Sequence, residues 1–393
     1  MLPSLEIENF RTFSHLEIEH LGQVNLIVGR NNVGKTMLLE ALRLYCSLGE
    51  PIILVELLQD RDEILPGTNI AERQSSILLQ VESLFHNHRT EIGEGNAIRI
   101  GPCSATDLTL ELRMKVFRHD RSMPDFPERV SMKPATKADL QTDPEAFLAL
   151  ETLWRKQQCN VLPVENLAKY RLYSMRSLFA SSMRYAFVPA AGIDPEELGR
   201  EWDKIVLHDA EERVKECLAI IAPVERITAI ECPGSRGDRI FVARLSGQAR
   251  PVPLKSLGDG MVRLFQISLA LESAIEQEGL EPSLLQRKAI APEFGGSSSL
   301  GILLIDEIEN GIHYSALPDL WRFVFHMARL RGVQVFATTH SWDCISAFQE
   351  VASEDRETEG ALIRLEKDNE INRAVVFTEN ELSIVARDNI EVR

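Results

Sequence analysis

Gly29-Arg30-Asn31-Asn32-Val33-Gly34-Lys35-Thr36 is the stretch that decides the reading of this chain. It fits G-x-x-x-x-G-K-[ST], a loop whose glycines let the backbone wrap so that its N–H groups face a phosphate. The apolar run Val24–Val28 precedes it, and Lys35–Leu48 follows, with Met37, Leu38, Ala41, Leu42 and Tyr45 at helical spacing. Strand, glycine turn and helix in succession are the context the pattern requires, and the helix start adds its dipole to the anion site. In this reading Lys35 reaches the β- and γ-phosphates of a nucleotide, and the Thr36 hydroxyl coordinates Mg²⁺.

Farther along, Gly301-Ile302-Leu303-Leu304-Ile305 is an apolar strand that ends in Asp306-Glu307. With a phosphate loop upstream, Asp306 is expected to hold Mg²⁺ through water, and Glu307 to orient or deprotonate the attacking water. Glu309 and His313 follow closely. A second continuous apolar strand, Val333–Ala337, leads through Thr338-Thr339 to His340. Unbroken apolar strands of this kind belong inside a parallel sheet covered on both faces. Leu257-Gly258-Asp259-Gly260-Met261 lies about fifty residues before Asp306, just ahead of a helix expected to start at Met261. Read alone, it is a glycine turn that caps that helix.

The order of phosphate loop, glycine-rich turn, acidic strand and strand-plus-histidine is that of ATP-binding-cassette (ABC) ATPases. Glu8-Asn9-Phe10-Arg11, with Val24–Gly29 and Asn31–Thr36 after it, resembles the N-terminus of SMC/RecF/OLD-type ATPases. Asp306-Glu307-Ile308-Glu309-Asn310-Gly311-Ile312-His313 resembles the acidic strand of the OLD-like branch, annotated AAA15 or AAA21. The resemblance spans about residues 1–48 and 186–340. It implies an α/β, ABC-type ATPase head that uses ATP and Mg²⁺, interrupted by a mostly helical insertion. By resemblance, Gly29, Arg30, Asn31, Asn32, Val33, Gly34, Lys35 and Thr36 bind the nucleotide, and Arg11 lies beside it. Thr36 and Asp306 hold the metal, Glu307 is the catalytic acid, and His340 contacts the γ-phosphate. Ser256, Gly258, Asp259 and Gly260 act in trans on the ATP of an opposite subunit, which implies a homodimer or higher oligomer. Ser256 or Gly258 stands where such signatures carry serine.

The expected organisation is an N-terminal half-head over 1–48, an insertion over 49–185, a C-terminal half-head over 186–345, and a hairpin with tail over 346–393. Asp107–Phe117 reads as a strand, and Pro144–Met183 as mostly helical with a break near Pro163. Pro195–Ile221 reads as one long amphipathic helix, and Arg226–Glu231 with Arg239–Leu245 as a hairpin. Ala291–Gly301 reads as a flexible loop, and Ala361–Leu365 with Ala374–Phe377 as a closing hairpin.

The chain has 393 residues and a formal charge of −16, too acidic for general attraction to nucleic acid. The charge is uneven: residues 110–190 hold 13 Lys/Arg against 9 Asp/Glu. A DNA contact through that segment and a plain solvated insertion are both compatible with the excess. No apolar stretch approaches the ~20 residues of a membrane span, and the start lacks the regions of a signal peptide. The six cysteines form no C-x-x-C pair. The expectation is a cytoplasmic protein without membrane contact. Only 53 residues follow His340, with no D-x-D among them, so no Toprim nuclease domain fits there. A separate effector, nuclease or Toprim-like, is therefore expected, in an anti-phage defence or other DNA-related role. DNA repair or recombination, or a slow nucleotide-gated scaffold, are the alternatives. Thr136-Lys137-Ala138-Asp139 imitates the guanine-reading [NT]-K-x-D of GTPases, but no D-x-x-G strand precedes it.

Overall fold

The computed structural model describes residues 1–66, 77–92, 94–120, 131–164, 184–231, 239–274, 301–368 and 371–377. A hairpin, β1 (Leu5–Phe10) and β2 (Phe13–Ile18), leads to β3 (Val24–Val28), the phosphate loop and α1 (Lys35–Cys46). There follow α2 (Pro51–Gln59), β4 (Ile64–Pro66), β5 (Ile77–Leu79), β6 (Ile98–Gly101), β7 (Leu110–Asp120) and β8 (Ser131–Pro134). The short α3 (Asp139–Thr142) precedes β9 (Ala146–Trp154) and β10 (Gln157–Pro163). Next come β11 (Arg184–Val188), α4 (Pro195–Ile205), α5 (Asp209–Leu218), β12 (Val224–Glu231), β13 (Arg239–Leu245) and β14 (Val252–Pro253). The last part holds α6 (Asp259–Ser273), β15 (Gly301–Ile305), α7 (Leu317–Arg331), β16 (Val333–Thr338), α8 (Trp342–Glu354), β17 (Gly360–Asp368) and β18 (Ile371–Phe377).

Two large sheets organise these elements. One has the order β11-β15-β16-β3-β17-β18; its neighbours run parallel except for the terminal β17–β18 hairpin. The largely apolar strands β3, β15 and β16 occupy its middle, with Asn25, Gln334 and Thr338 as buried polar exceptions. Val24, Leu26, Leu303, Ile305 and Val335 face a core shared with α4 to α8. Ile27, Ile302, Leu304 and Phe336 face the opposite core, with α1, α2 and the second sheet. Burial on both faces is why these strands carry no polar alternation. The second sheet is antiparallel, in the order β10-β9-β7-β6-β1-β2 with β8 on β7. Helix α1 is enclosed between the sheets, so ten of its twelve residues are buried. Its buried charges are paired: Glu40 takes Arg11 and Arg61 at 2.7 Å each, and Arg43 takes Glu56 at 3.0 Å.

The α/β architecture read from the sequence, with a phosphate loop at the end of a parallel strand, is therefore present, and some local expectations differ. Within Pro144–Met183, the described residues form strands β9 and β10 and not helices; 165–183 lie outside the described residues. Ala-Phe-Leu-Ala-Leu-Glu-Thr-Leu-Trp has helical composition, but cross-strand pairing with β7, Arg113 opposite Glu151, overrides that weak preference. Among the described residues the segment between the half-heads is thus largely sheet, joined edge to edge with β1 through β6. Pro195–Ile221 is two helices and not one. Val206 turns extended at the end of α4, and Leu207 takes φ 70 with its amide donating to Glu211, so a new helix starts at Asp209. Arg226–Glu231 pairs antiparallel with Arg239–Leu245, and Leu362–Leu365 with Ala374–Phe377, as read. Of the Ala291–Gly301 loop only Gly301 is described, and it begins β15. Among the described residues no helix is long and apolar enough to cross a membrane.

Candidate functional site

The phosphate loop leaves the C-terminal end of β3, the central strand of the parallel sheet, and enters α1. Gly34, at φ 104, is the N-cap of α1, and a Cβ there would lie 2.7 Å from the Phe13 ring. Glycine is required on both counts, and it brings no side chain to occupy the helix start, which stays available to an anion. Lys35 Nζ donates to the carbonyls of Gly29 at 2.7 Å and Arg30 at 3.1 Å. Burial lowers the Lys35 pKa, while Asp306, Glu307 and Glu309 pull it back up. The β17–β18 hairpin buttresses the loop from behind. The Leu365 carbonyl packs against Gly29, and Asn372 Nδ2 donates to the Val33 carbonyl at 2.7 Å.

Strand β15 delivers Asp306 next to this loop. The Thr36 hydroxyl lies 3.3 Å from Asp306 Oδ2, and the Thr338 hydroxyl, at the end of β16, donates to Asp306 Oδ1 at 2.6 Å. A hydroxyl and a carboxylate side by side are the hard oxygen donors that Mg²⁺ takes, so Thr36 and Asp306 fit the role of metal ligands. Glu307 follows at φ 52, left-handed and unusual for a residue with a side chain. That turn aims its amide at the Thr338 hydroxyl, 2.8 Å away. Its carboxylate accepts from Asn310 Nδ2 at 2.9 Å and lies 3.6 Å from His340 Nε2. Glu309 Oε1 accepts the backbone amides of His340 at 2.9 Å and Ser341 at 3.1 Å, which ties the histidine turn to the acidic turn. Gly29, Arg30, Asn31, Glu307, Glu309 and His340 line one cavity of about 610 Å³. A phosphate loop, paired acids and a half-exposed histidine around one space can bind a triphosphate and activate water against it.

The remaining residues named from the sequence are dispersed around this centre. Ser256, Gly258 and Asp259 are exposed at the start of α6, whereas Gly260 is buried. A Cβ on Gly260 would lie 2.6 Å from the carbonyl oxygen of Gly311, on the loop that follows Glu307. The Arg11 guanidinium is buried and committed to Glu40 and Glu63, and it does not line the cavity. Asp139 accepts the amide and hydroxyl of Thr136, so the GTPase-like run is a self-capped turn, with the carboxyl pKa lowered by those bonds. Arg113 and Lys115, in the locally basic stretch, are both bound to the buried Glu151 at 2.8 and 3.0 Å.

Three residues of the centre escaped the sequence reading. Thr338 and Asn310 lie within quoted motifs, but neither type announces a role. Arg263 had a signal: it is a charged residue on the buried face of an apolar helix, 4% exposed.

Comparison with known proteins agrees with this geometry. Residues 1–104 match the family model described as "AAA ATPase domain". Residues 153–343 match the one described as "AAA domain, putative AbiEii toxin, Type IV TA system". A Helicobacter pylori protein named "ATP/GTP phosphatase" is 22% identical over 378 residues, covering 90% of this chain and 89% of that protein. An uncharacterised protein of Methanocaldococcus jannaschii is 46% identical over 50 residues, 13% of this chain; the chain spans only 23% of that relative. Among solved structures, an SMC head bound to the C-terminal winged-helix domain of ScpA has a TM-score of 0.47 at 10% identity, covering 97% of this chain and 99% of that one. The SMC head domain of Thermotoga maritima has a TM-score of 0.41 at 12% identity, covering 96% and 98%. The two AAA matches thus fall on the segments that carry the phosphate loop and the acidic strand, which meet with the histidine turn at one cavity.

Proposed function

We propose that the protein hydrolyses ATP with Mg²⁺ at this cavity, with Glu307 as the water-activating acid and His340 as the γ-phosphate contact. The observation that carries the reading is the Glu307 carboxylate, held by Asn310 and facing His340 across the space that Gly29–Asn31 line. When bound, Mg²⁺ neutralises phosphate charge beside Thr36 and Asp306. Lys35 supplies the compensating cation, and the amides at the start of α1 receive the phosphates. Lys35→Ala removes nucleotide binding. Glu307→Gln retains binding and loses hydrolysis; a wild-type rate in Glu307→Gln would overturn the assignment of the acid.

The site is half of a composite. Ser256, Gly258 and Asp259 are exposed at a helix start, which suits them to clamp the γ-phosphate of a second copy. ATP then gates a two-fold, head-to-tail pair. Ser256→Arg, at an exposed position, leaves ATP binding within about twofold and lowers hydrolysis at least tenfold. Glu307→Gln protein sediments as a dimer with ATP; a strict monomer with ATP bound would sink the pairing. The pair drives a separate effector, a nuclease subunit in a defence setting; the family matched over 153–343, described with a toxin–antitoxin system, supports the defence setting alone.

A further inference from the structure

Arg263 lies one turn into α6 with its guanidinium buried beneath the acidic turn. Nη1 donates to the Pro189 carbonyl at 2.7 Å, just beyond β11, and Nη2 donates to the carbonyls of Asp306 and Glu307, the latter at 3.0 Å. One side chain thus ties the signature helix to the ends of two neighbouring strands. Burial pushes its pKa down to about 10, and Asp306, Glu309 and Glu307 pull it back up, so it stays charged near neutral pH. An apolar residue of similar volume would leave those three carbonyls without this donor. A buried charge here calls for a reason beyond packing. Glu307 provides one. Its left-handed backbone costs about 1–2 kcal/mol for a residue with a Cβ and turns its carbonyl off the sheet ladder, towards Arg263. The carboxylate it presents to the cavity depends on that turn.

We infer that Arg263 is a positioning residue for hydrolysis: by holding the carbonyls of Asp306 and Glu307, it fixes the turn that aims the Glu307 carboxylate at the γ-phosphate. The inference rests on the reading of Glu307 as the catalytic acid. It makes Arg263 act chiefly through the turn that carries Glu307, which distinguishes it from a packing role. Arg263→Lys keeps the charge and the stem but offers one ammonium in place of a two-pronged fork. Its kcat falls 10- to 100-fold, while KM for ATP and affinity for a non-hydrolysable ATP analogue stay within about twofold. In a Glu307→Gln background, single-turnover hydrolysis shows no further loss on adding Arg263→Lys, because residues acting as a unit are non-additive. Arg263→Met, which retains the stem volume, gives the same kcat loss if the lysine variant does not fold. A wild-type kcat in a folded variant, or the same fold-loss in both backgrounds, overturns the inference. Failure of the underlying reading looks different: wild-type protein without ATPase activity, or Glu307→Gln at the wild-type rate.

Discussion

Gly258 and Gly260 stand two residues apart and are glycines for different reasons. Gly258 is exposed with open space around its Cβ position, whereas Gly260 lies where a methyl would press on the Gly311 carbonyl. Gly260→Ala therefore forces backbone apart in a packed region, at a cost of about 1–3 kcal/mol. Urea unfolding should show that loss, while Ser256→Ala at the exposed turn stays within about 0.5 kcal/mol of wild type. Equal stability of the two variants would mean the close approach is not maintained. The same contrast explains what could be read at this scale. Lys35, Thr36, Asp306 and His340 could be named from the sequence, because the proposed phosphate, metal and proton chemistry needs those side chains at the ends of strands or in glycine loops. Arg263 and Asn310 serve partly through backbone carbonyls, at Asp306, Glu307 and Ala190. A carbonyl has no letter in a sequence, so nothing marked their targets.

Elements were legible where their partners are local. The β12–β13 and β17–β18 hairpins pair near neighbours in the chain, and both were visible. Strand β9 pairs with β7 across a long excursion, and its alanines and leucines carry no mark of that partner. The pairing also changes the meaning of the basic segment. Glu151, 2% exposed, takes Arg113, Lys115 and the Gln158 amide, so two cations of the segment are already paired within the sheet. Glu151→Ala strips three donors of one acceptor and should destabilise by about 1–3 kcal/mol in chemical unfolding. Lys115→Ala leaves Arg113 and Gln158 in place and should cost less than about 1 kcal/mol. A larger loss in Lys115→Ala than in Glu151→Ala would contradict this arrangement. Charge reversal at Arg113 or Lys115 consequently tests the sheet before it tests DNA. Lys137, which is exposed, is the better position for that question.

At the scale of the molecule, the parallel sheet joins chain segments far apart in sequence. Strand β3 lies between β16 and β17, and the β17–β18 hairpin braces the phosphate loop through Leu365 and Asn372. A chain cut after residue 355 keeps all the proposed nucleotide and metal residues yet loses that brace and bares one edge of β3. It should not retain ATP, as judged by equilibrium binding, and should aggregate at its open edge. ATP affinity matching that of the whole chain would refute the bracing role. The same arrangement has a consequence during synthesis. At about 5–20 residues per second, tens of seconds separate the emergence of β3 from that of β17. The strand that carries the phosphate loop leaves the ribosome about 300 residues before either of its neighbours. Until then a nascent chain displays an apolar ribbon with unpaired backbone, the kind of segment that holdase chaperones bind. Nucleotide capture thus waits for β16 and β17, and ribosome-bound chains stalled before residue 360 should hold no ATP.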